Sequence, residues 1–417
     1  MKNQEKYFET TADVVVDRRY QTKREIARGA MGVVFEAQHQ LTRGVVALKT
    51  LNASALVWPG GPERMLREAR ALSLCRHPHV VAAVDAGVCA TYGPFLALEM
   101  LDGRTLESIE IARNRLELAQ VVAIAVQLGA ALDAVHKGGV LHRDIKPGNV
   151  LVVRDPTSGE DTLKLIDFGI ASVPDVEDVV NRKLTGSGEV LGTPEYMAPE
   201  VLADATPWTR AADIYSLAIL LYECLAGDVP FPGTLNAVMM AQVSQTRAKP
   251  LPEIRGDVSP EVDTVLRGAL DADPAKRPAT AGALVKAFAA ASGLPASARL
   301  ALTDARVPAP QRVFARVPYA APARIVREDG KVIDGRTEDI SEGGILVLTE
   351  TRLGDDERVQ VKLPLPSSGR VATVTAIARW GKGHRGRHAL GLSFAALDDA
   401  QREDIRSFAH YMTVGRD

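Results

Sequence analysis

The stretch LHRDIKPGN at Leu141–Asn149, followed by DFG at Asp167–Gly169, determines how the rest of this chain is interpreted. A carboxylate, an amine, an amide and a second carboxylate follow one another at Asp144, Lys146, Asn149 and Asp167. Transfer of a phosphoryl group needs this set: a base near the acceptor hydroxyl, a cation on the moving phosphoryl group, and ligands for divalent metal ions. The length of the pattern makes chance a poor explanation, so we expect a phosphoryl-transfer site.

Length and composition restrict the possible classes of protein. The chain has 417 residues, too many for one ordinary domain, and it is 46% hydrophobic and 24% charged, as is normal for chains that fold around hydrophobic cores. The net charge of −2 creates no overall field that attracts a nucleic acid polymer or an acidic membrane. The cysteines Cys75, Cys89 and Cys224 lack metal-site spacing, and we expect them to be small buried apolar residues in a reducing compartment.

We expect neither a signal peptide nor a membrane span. Residues 1–11 are polar, and the longest apolar run, Ile214–Ala226, is interrupted by Glu223. A membrane-spanning helix needs about 20 apolar residues, so this run is too short and predicts a buried core helix. The sequence therefore predicts a cytoplasmic protein.

The character of the chain changes along its length. Short β-type runs surround one helix-like segment, Pro62–Cys75, and apolar positions recur at helical spacing from Leu106 onward. An Ala- and Pro-rich stretch then indicates a linker. After it, alternating apolar runs and a final helix-like segment, Asp398–Tyr411, are typical of a small antiparallel barrel. The expected divisions are an N-terminal extension, a first domain, the linker and a second domain, at residues 1–19, 20–288, 289–310 and 311–417.

Further motifs in the first domain follow an order that resembles the protein kinase superfamily, and within it the bacterial Ser/Thr branch. ARGAMGVV at residues 27–34 resembles the glycine-rich loop over the ATP phosphates, with Ala27 in place of the first glycine. Lys49 matches the lysine that contacts the α- and β-phosphates, and Glu68 matches its ion-pair partner, with Glu63 as the alternative. Leu98 stands at the position that borders the adenine pocket. The implied ATP-binding residues are Ala27, Gly29, Gly32, Val34, Lys49, Glu68, Glu99 and Leu101.

The same resemblance assigns roles in the opening stretch. Asp144 is the expected base or orienting group for the acceptor hydroxyl, and Lys146 neutralises charge on the γ-phosphoryl group. Asn149 and Asp167 are the expected ligands of Mg²⁺ or Mn²⁺. His142 is expected to pack and hydrogen-bond rather than react.

The resemblance also implies structural and regulatory residues. Three structural expectations are that Thr193 bonds near Asp144 and Lys146, that Glu200 pairs with Arg277, and that Asp213 braces the catalytic loop. Kinases with an arginine at the position of Arg143 often need an activation-loop phosphate that pairs with it. Thr185 is the first candidate for that phosphate and Ser187 the second, and the alternative is an unmodified polar loop.

The second domain carries two short motifs. RVFAR at Arg312–Arg316 places two guanidinium groups on one face of an extended chain, because nearby prolines argue against a helix. DISEGG at Asp339–Gly344 predicts a polar turn whose glycines permit positive φ. Together the motifs resemble the PilZ domain, whose ligand is the bacterial second messenger cyclic di-GMP. This resemblance implies a six-stranded antiparallel β-barrel with a C-terminal helix.

The chemistry of these residues suits that ligand. Arginine forks onto phosphate oxygens or onto guanine O6 and N7, and it stacks on purines. Asp339 could accept from guanine N–H groups, and Ser341 could reach a phosphate. The implied ligand residues are Arg312, Arg316, Asp339, Ser341 and Gly344. A basic run either faces the ligand or, as the favoured interpretation, forms a solvated hairpin, and it consists of Arg379, Lys382, Arg385 and Arg387.

The sequence thus predicts an α+β protein, a bilobal kinase fold followed by the small barrel. The leading hypothesis is a Ser/Thr kinase that transfers the γ-phosphoryl group of ATP to protein hydroxyls and is regulated or localised by cyclic di-GMP. One alternative is a weakly active or inactive kinase scaffold whose PilZ domain is a messenger-dependent docking module. Another is an active kinase whose PilZ-like domain only docks partners. The protein substrates and the oligomeric state stay open, although cyclic di-GMP could bridge two copies in a homodimer.

Overall fold

The computed structural model of the chain describes most of its residues. The described ranges are 7–28, 32–52, 55–56, 60–155, 158–168, 194–202, 208–231, 248–295, 300–303, 317–319, 321–354, 356–365, 370–384 and 387–414.

The first lobe is an antiparallel sheet with one helix against it. Its strands in chain order are β1 (Val15–Val16), β2 (Tyr20–Arg28), β3 (Gly32–His39), β4 (Val45–Leu51), β5 (Ala83–Cys89) and β6 (Gly93–Glu99). They are arranged in the order β1-β2-β3-β4-β6-β5. Helix α1 (Gly61–Leu74) contacts β6, β5 and β4 and buries Met65, Glu68 and Leu72. Charged residues are usually exposed, so a glutamate on the buried face of this helix is an exception. This glutamate, Glu68, is one of the residues expected in the ATP site.

The second lobe is mostly helical. Its helices are α2 (Leu106–Arg113), α3 (Leu118–Lys137), α4 (Pro199–Leu202), α5 (Arg210–Ala226), α6 (Leu251–Ile254), α7 (Pro260–Ala269) and α8 (Ala281–Ser292). The apolar run at 214–226 lies in α5 and is buried throughout, as a helix that is apolar on every side requires. Within the described ranges, α3 is the one helix long and apolar enough to cross a membrane, and 56% of its apolar window is buried inside the protein.

A small sheet between the lobes carries the catalytic stretch. It consists of β7 (Gly103–Thr105), β8 (Val150–Arg154) and β9 (Asp161–Leu165). Strands β8 and β9 form a hairpin in which Val150 pairs with Leu165 at one end and Arg154 with Asp161 at the other. The Ile166 N–H donates to the Asn149 carbonyl at 2.9 Å. The open end of the hairpin therefore brings Asn149 close to Asp167.

The C-terminal domain is a closed barrel, as predicted. Its strands are β10 (Val317–Pro318), β11 (Pro322–Arg327), β12 (Val332–Ser341), β13 (Gly344–Thr349), β14 (Arg358–Pro364), β15 (Val371–His384) and β16 (Arg387–Ala396), and helix α9 (Asp399–Val414) follows. Six strands close in the order β12-β11-β14-β15-β16-β13, because β13 pairs back with β12, and β10 pairs with β12. Alternate residues of β14 face the core, so Val359, Val361 and Leu363 are buried.

The structure corrects the expectation of a polar turn over residues 339–344. Strand β12 continues to Ser341, and the turn comprises only Glu342 and Gly343. Neither Gly343 nor Gly344 has positive φ. Gly344 is needed for a different reason: a Cβ there would lie 2.2 Å from the Leu392 carbonyl oxygen of β16.

Part of the predicted linker at 289–310 is packed rather than free. Helix α8 continues to Ser292, and residues 300–303 lie against the helical lobe, where Leu300 and Leu302 join its hydrophobic core.

Candidate active site and ligand site

Lys49 is the centre of the ion-pair network between the lobes. Its Nζ donates to Glu68 Oε1 at 2.7 Å and to Asp167 Oδ1 at 2.8 Å. Burial opposes the charge of Lys49, but the carboxylates of Asp167 and Glu68 outweigh it and raise the pKa of the amine. The structure gives the pairing to Glu68, not to the alternative Glu63.

Glu68 is itself almost fully buried, with 2% of its side chain exposed. Burial raises the pKa of its carboxyl, and the nearby ammonium of Lys49 only partly opposes that shift. The pair is thus sensitive to acid as well as to any movement of α1.

The glycine-rich loop is bounded by described strands. Ala27 pairs with Val34 between β2 and β3, and Val34 pairs in turn with Lys49 of β4. A Cβ at Gly32 would lie 2.8 Å from the Thr50 carbonyl oxygen, so only glycine allows this approach of the backbone. Gly29 lies outside the described residues.

Three residues of the catalytic loop form one hydrogen-bonded group. Asp144 Oδ2 accepts from Asn149 Nδ2 at 2.7 Å and lies 2.9 Å from Lys146 Nζ. Asn149 Nδ2 also donates to the Asp144 carbonyl at 2.8 Å. This leaves the amide oxygen of Asn149 as the acceptor that a cation could use. The loop thus orients a carboxylate, an amine and an amide together.

Asp167 follows β9 in the left-handed region, at φ 51°. Its carboxylate is half-exposed, and the positive charge of Lys49 lowers its pKa. It is therefore ionised at neutral pH and accessible, as a ligand of a divalent cation must be.

Buried groups hold the catalytic loop from behind. Asp213 of α5 accepts from the backbone N–H of Arg143 at 2.9 Å and of His142 at 3.0 Å. It also lies 2.8 Å from His136 Nε2. The His136 contact was missed from the sequence, because one histidine at the end of an apolar helix gives no signal. Asp213 thus fixes the backbone that carries Asp144.

His142 packs as expected. It is fully buried, its Nε2 lies 3.2 Å from the Ile166 carbonyl, and its ring centroid is 4.7 Å from that of Phe168. Burial lowers the pKa of the imidazole, which favours the neutral form and a packing role.

A second buried ion pair lies below the site. Both terminal nitrogens of Arg277 donate to Glu200, each at 2.7 Å. The guanidinium also lies 4.8 Å from the centre of the Tyr215 ring. The pair joins the segment around α4 to the lower part of the lobe, as the resemblance implied.

The backbone of Arg143 is strained, and its side chain lacks part of its hydrogen bonding among the described residues. Its φ is 69°, and its buried Nε has no hydrogen-bond partner among the described residues. Burial and the neighbouring positive charge of Arg67 lower the pKa of the Arg143 guanidinium. The negative charge of Asp213 opposes this shift only in part. Two cations close together with an unused donor favour an anion at this point. The activation-segment candidates Thr185, Ser187 and Thr193 lie outside the described residues.

The adenine side of the site lies at the end of β6. Leu98 is buried at 8% exposure and pairs with Ala47 of β4. The Glu99 carboxylate accepts from the Ala82 N–H at 2.8 Å and from Lys164 Nζ at 2.7 Å. Its side chain is therefore used within the protein, so any nucleotide contact at Glu99 falls to the backbone. Leu101 lies in the segment between β6 and β7.

In the barrel, the described candidate ligand residues Asp339, Ser341 and Gly344 lie at and just after the end of β12. Val317 and Pro318 of β10 pair with Ile340 and Asp339. Ser341 is 4% exposed, and its hydroxyl donates to the Gly344 carbonyl at 3.2 Å. Ser341 thus stabilises the turn. Arg312 and Arg316 lie outside the described residues, although Val317 directly follows Arg316 in the sequence.

Helix α9 is attached to both sides of this candidate ligand site. Arg406 donates through two nitrogens to Glu342, at 3.2 and 3.0 Å. The Phe408 ring lies 5.5 Å from that of Tyr319, edge to face. The same helix contacts β2 of the first lobe, the strand that leads into the glycine-rich loop.

Lys382 and Arg387 of the basic run lie in the paired strands β15 and β16, but a side chain of this run is described only at Arg379. This side chain donates to Ser393 Oγ at 2.8 Å and to Asp356 Oδ1 at 2.9 Å, and it is largely exposed. Its pairing with a carboxylate favours the interpretation as a solvated surface. Nothing is described of the side chains of Lys382, Arg385 and Arg387.

Comparison with family models assigns both parts of the chain. The protein kinase domain model matches residues 20–289, and the PilZ domain model matches residues 310–410.

Curated relatives include bacterial serine/threonine-protein kinases that match about two thirds of the chain. The chain is 38% identical over 273 residues to the serine/threonine-protein kinase PknH of Mycobacterium bovis, which is 64% of this chain and 43% of PknH. It is 36% identical over 269 residues to the serine/threonine-protein kinase pkn3 of Myxococcus xanthus, 64% of this chain and 48% of that protein. The match thus spans less than half the length of these relatives.

Solved structures match a similar share of the chain. The kinase domain of Mycobacterium tuberculosis PknI is 28% identical, with a TM-score of 0.51, over 67% of this chain and 98% of that one. A second structure of that domain is 27% identical, with a TM-score of 0.52.

Proposed function

The chain belongs to the protein kinase domain family and carries a PilZ domain, and we propose that it is a Ser/Thr protein kinase that acts on protein hydroxyls. The observation that carries this proposal is the group formed by Asp144, Lys146 and Asn149, together with the ion pair of Lys49 and Glu68. This group supplies a carboxylate near the acceptor hydroxyl, a cation for the moving phosphoryl group and a ligand for a divalent metal ion, which are the groups that phosphoryl transfer needs.

The residues fit a divalent cation. Oxygen donors suit Mg²⁺ and Mn²⁺, and Asn149 and Asp167 supply an amide and an ionised carboxylate at the open end of one hairpin. When bound, the cation neutralises charge on the ATP phosphates. Lys49 already holds one oxygen of Asp167 at 2.8 Å, and that contact fixes the carboxylate in place.

The transfer itself is assigned to the catalytic loop. The acceptor hydroxyl attacks the γ-phosphorus of ATP while its proton passes to the Asp144 carboxylate, and the bond from the γ-phosphorus to the bridging oxygen breaks to release ADP. The bonds from Asn149 and Lys146 orient that carboxylate. Lys146 also stabilises charge on the moving group, which is the largest kind of catalytic contribution in such sites.

We propose further that cyclic di-GMP binds the barrel at Arg312, Arg316 and Asp339 and regulates the kinase. Helix α9 supports this proposal, because it is bonded to Glu342 beside the motif and also contacts β2. A ligand that moves the turn at Glu342 would thereby displace a helix that lies against the strand of the glycine-rich loop.

The proposal includes a cytoplasmic location, which the three buried free cysteines support.

Phosphoryl transfer from labelled ATP to the protein and to a generic basic acceptor tests the kinase proposal. Asp144→Ala should lower the rate by roughly 10²–10⁴-fold, the usual contribution of a positioned base. Asp329→Ala, at an exposed turn of the barrel, is the control. An Asp144→Ala protein as active as the parent would refute the assignment. Nucleotide binding without any transfer would favour the inactive-scaffold alternative.

A further inference from the structure

Residues 300–303, here called the strap, form part of the kinase domain although they follow its last helix. Leu300 and Leu302 are 4% and 3% exposed. They belong to the same hydrophobic core as Leu106 of α2 and Val152 of β8. Burial of two leucines favours the docked position by the usual free energy of removing apolar surface from water.

One buried carboxylate receives the strap. Asp161 Oδ2 accepts from the backbone N–H groups of Leu302, at 2.5 Å, and of Thr303, at 2.6 Å. The Thr303 hydroxyl donates to the other oxygen. Asp161 is only 6% exposed, so loss of the strap would leave a buried carboxylate without these three donors, which is costly.

Three more side chains bind the backbone carbonyls of the strap. Arg113 Nη2 donates to Leu302 at 2.7 Å, and Gln120 Nε2 donates to Ala301 at 2.7 Å. Arg154 donates to the Thr303 carbonyl. These residues come from α2, α3 and β8. The strap is therefore held by three elements besides β9, through backbone contacts that fix its path.

The position of Asp161 gives these contacts a functional meaning. Asp161 begins β9 and pairs with Arg154 at the end of β8. The same two strands lead at their other end to Asn149 and Asp167. Five residues of strand span about 16 Å. The strap therefore clamps one end of a hairpin whose other end carries both expected metal ligands.

We propose that the strap braces this hairpin and that Asp161 is a positioning residue for Asn149 and Asp167. The proposal rests on the kinase function proposed above and adds a structural condition to it. The strap is also the part of the kinase domain from which the chain continues to the barrel. Only residues 304–316 separate the strap from β10, so the C-terminal domain is attached to the chain beside the catalytic hairpin.

The test uses the full chain and three variants: Asp161→Ala, Asp161→Asn and Asp155→Ala. An asparagine can still accept both backbone N–H groups and can donate to Thr303, so it should rescue the alanine variant. Asp155 lies at the same hairpin turn, where its carboxylate accepts from Ser158 at 3.0 Å, and it is the matched control. The readouts are Mg²⁺-dependent binding of a fluorescent ATP analogue, hydrogen exchange of the strap amides, and phosphoryl transfer.

Asp161→Ala should expose the amides of Leu302 and Thr303 to exchange and raise the half-saturating Mg²⁺ concentration by roughly tenfold, as loss of support behind metal ligands generally does. Asp161→Asn and Asp155→Ala should stay near the parent. Released strap amides with unchanged Mg²⁺ dependence would overturn the proposal, and so would amides that stay protected.

Two further measurements test the proposal if Asp161→Ala does not fold or if the parent transfers no phosphoryl group. If Asp161→Ala does not fold, Thr303→Val removes only the hydroxyl donor and should give a smaller shift of the same sign, while an unchanged Mg²⁺ dependence would count against the brace. If the parent binds nucleotide but transfers no phosphoryl group, the kinase proposal fails. The Mg²⁺ shift in nucleotide binding would then still decide the role of the strap.

Discussion

Lys49 Nζ lies 2.7 Å from Glu68 Oε1, and this contact joins the sheet of the first lobe to helix α1. Lys49 also reaches Asp167 of the second lobe at 2.8 Å. One ammonium group thus links three elements on which the proposed ATP site depends.

The acid sensitivity of this contact can be predicted. Burial raises the pKa of Glu68, so on acidification this carboxyl takes up a proton before an exposed glutamate does. The ionised form that pairs with Lys49 is therefore present above the raised pKa and lost as the pH falls through it. We expect the affinity for ATP to fall along this acid limb. A pH series of nucleotide binding measures it.

Glu68→Gln provides the comparison for that series. It should weaken ATP binding at neutral pH by roughly tenfold or more, since a hydrogen bond to a charged group is worth about 1.5–3 kcal/mol. The variant should also lack the acid limb that Glu68 causes. Glu63→Gln is the matched control in the first turn of the same helix. An acid limb unchanged in Glu68→Gln would show that another group titrates.

Activation should depend on an anion at Arg143. The buried Nε of Arg143, which has no hydrogen-bond partner among the described residues, and the nearby charge of Arg67 favour a phosphate there. We expect Thr185→Ala and Arg143→Ala each to lower the rate at least tenfold, while Ser187→Ala has a smaller effect. Because one pair is lost in both cases, the double variant should be no worse than either single variant.

Rates of the parent, the three single variants and the double variant, before and after phosphatase treatment, measure this coupling. Phosphatase should lower the parent to the level of Thr185→Ala. Additive losses in the double variant would contradict the pairing of the two residues.

Buried and exposed ion pairs should differ in how much they contribute to the free energy of unfolding. Arg277 is fully buried against Glu200, so Arg277→Ala should reduce the free energy of unfolding of the kinase domain by about 3–5 kcal/mol. Arg324 and Asp334 form an exposed pair in the barrel, and Arg324→Ala should cost about 0–1 kcal/mol. Denaturant unfolding, with a probe for each domain, measures both. Equal losses would contradict the assignment of Arg277.

Binding of cyclic di-GMP should require the motif residues of the barrel. We expect Arg316→Ala and Asp339→Ala to reduce the affinity at least tenfold, because each removes a charged partner of a phosphate or a guanine edge. Arg324→Ala removes an exposed arginine of the same barrel and is the control. Isothermal titration calorimetry measures all three. Undiminished affinity in Arg316→Ala would place the ligand elsewhere.

Which kinase-motif residues lie together could be predicted from the sequence, because the expected chemistry requires particular side chains in a set order. Asp144, Lys146 and Asn149 come together over one short loop, where spacing almost determines proximity. The pairing of Lys49 with Glu68 crosses between two elements, and the sequence left Glu63 open because both glutamates occur on α1. Burial of Glu68 decides between them.

Strand β12 was harder to predict. Its end, Asp339 to Ser341, is followed by glutamate and two glycines, a composition that favours a turn. Pairing with β10, β11 and β13 outweighs that preference, and a bulge after Thr337 accommodates the irregular register.

Docking of the strap onto the kinase domain could hardly be predicted from the sequence. It lies in an Ala- and Pro-rich stretch, and its partner Asp161 is 141 residues away from Leu302. Two leucines two residues apart do not indicate docking, and long-range contacts of this kind appear only in the folded chain.

The coupling of phosphoryl transfer to messenger binding within one chain is the main proposal for this protein. Its most direct test is the rate of transfer from labelled ATP and Mg²⁺, measured for the full chain with and without micromolar cyclic di-GMP, beside Asp144→Ala and Arg316→Ala. We expect a rate that changes with the messenger in the parent, does not change in Arg316→Ala, and is lost in Asp144→Ala. A robust rate that is the same with and without the messenger, in a protein that binds it, would contradict the coupling.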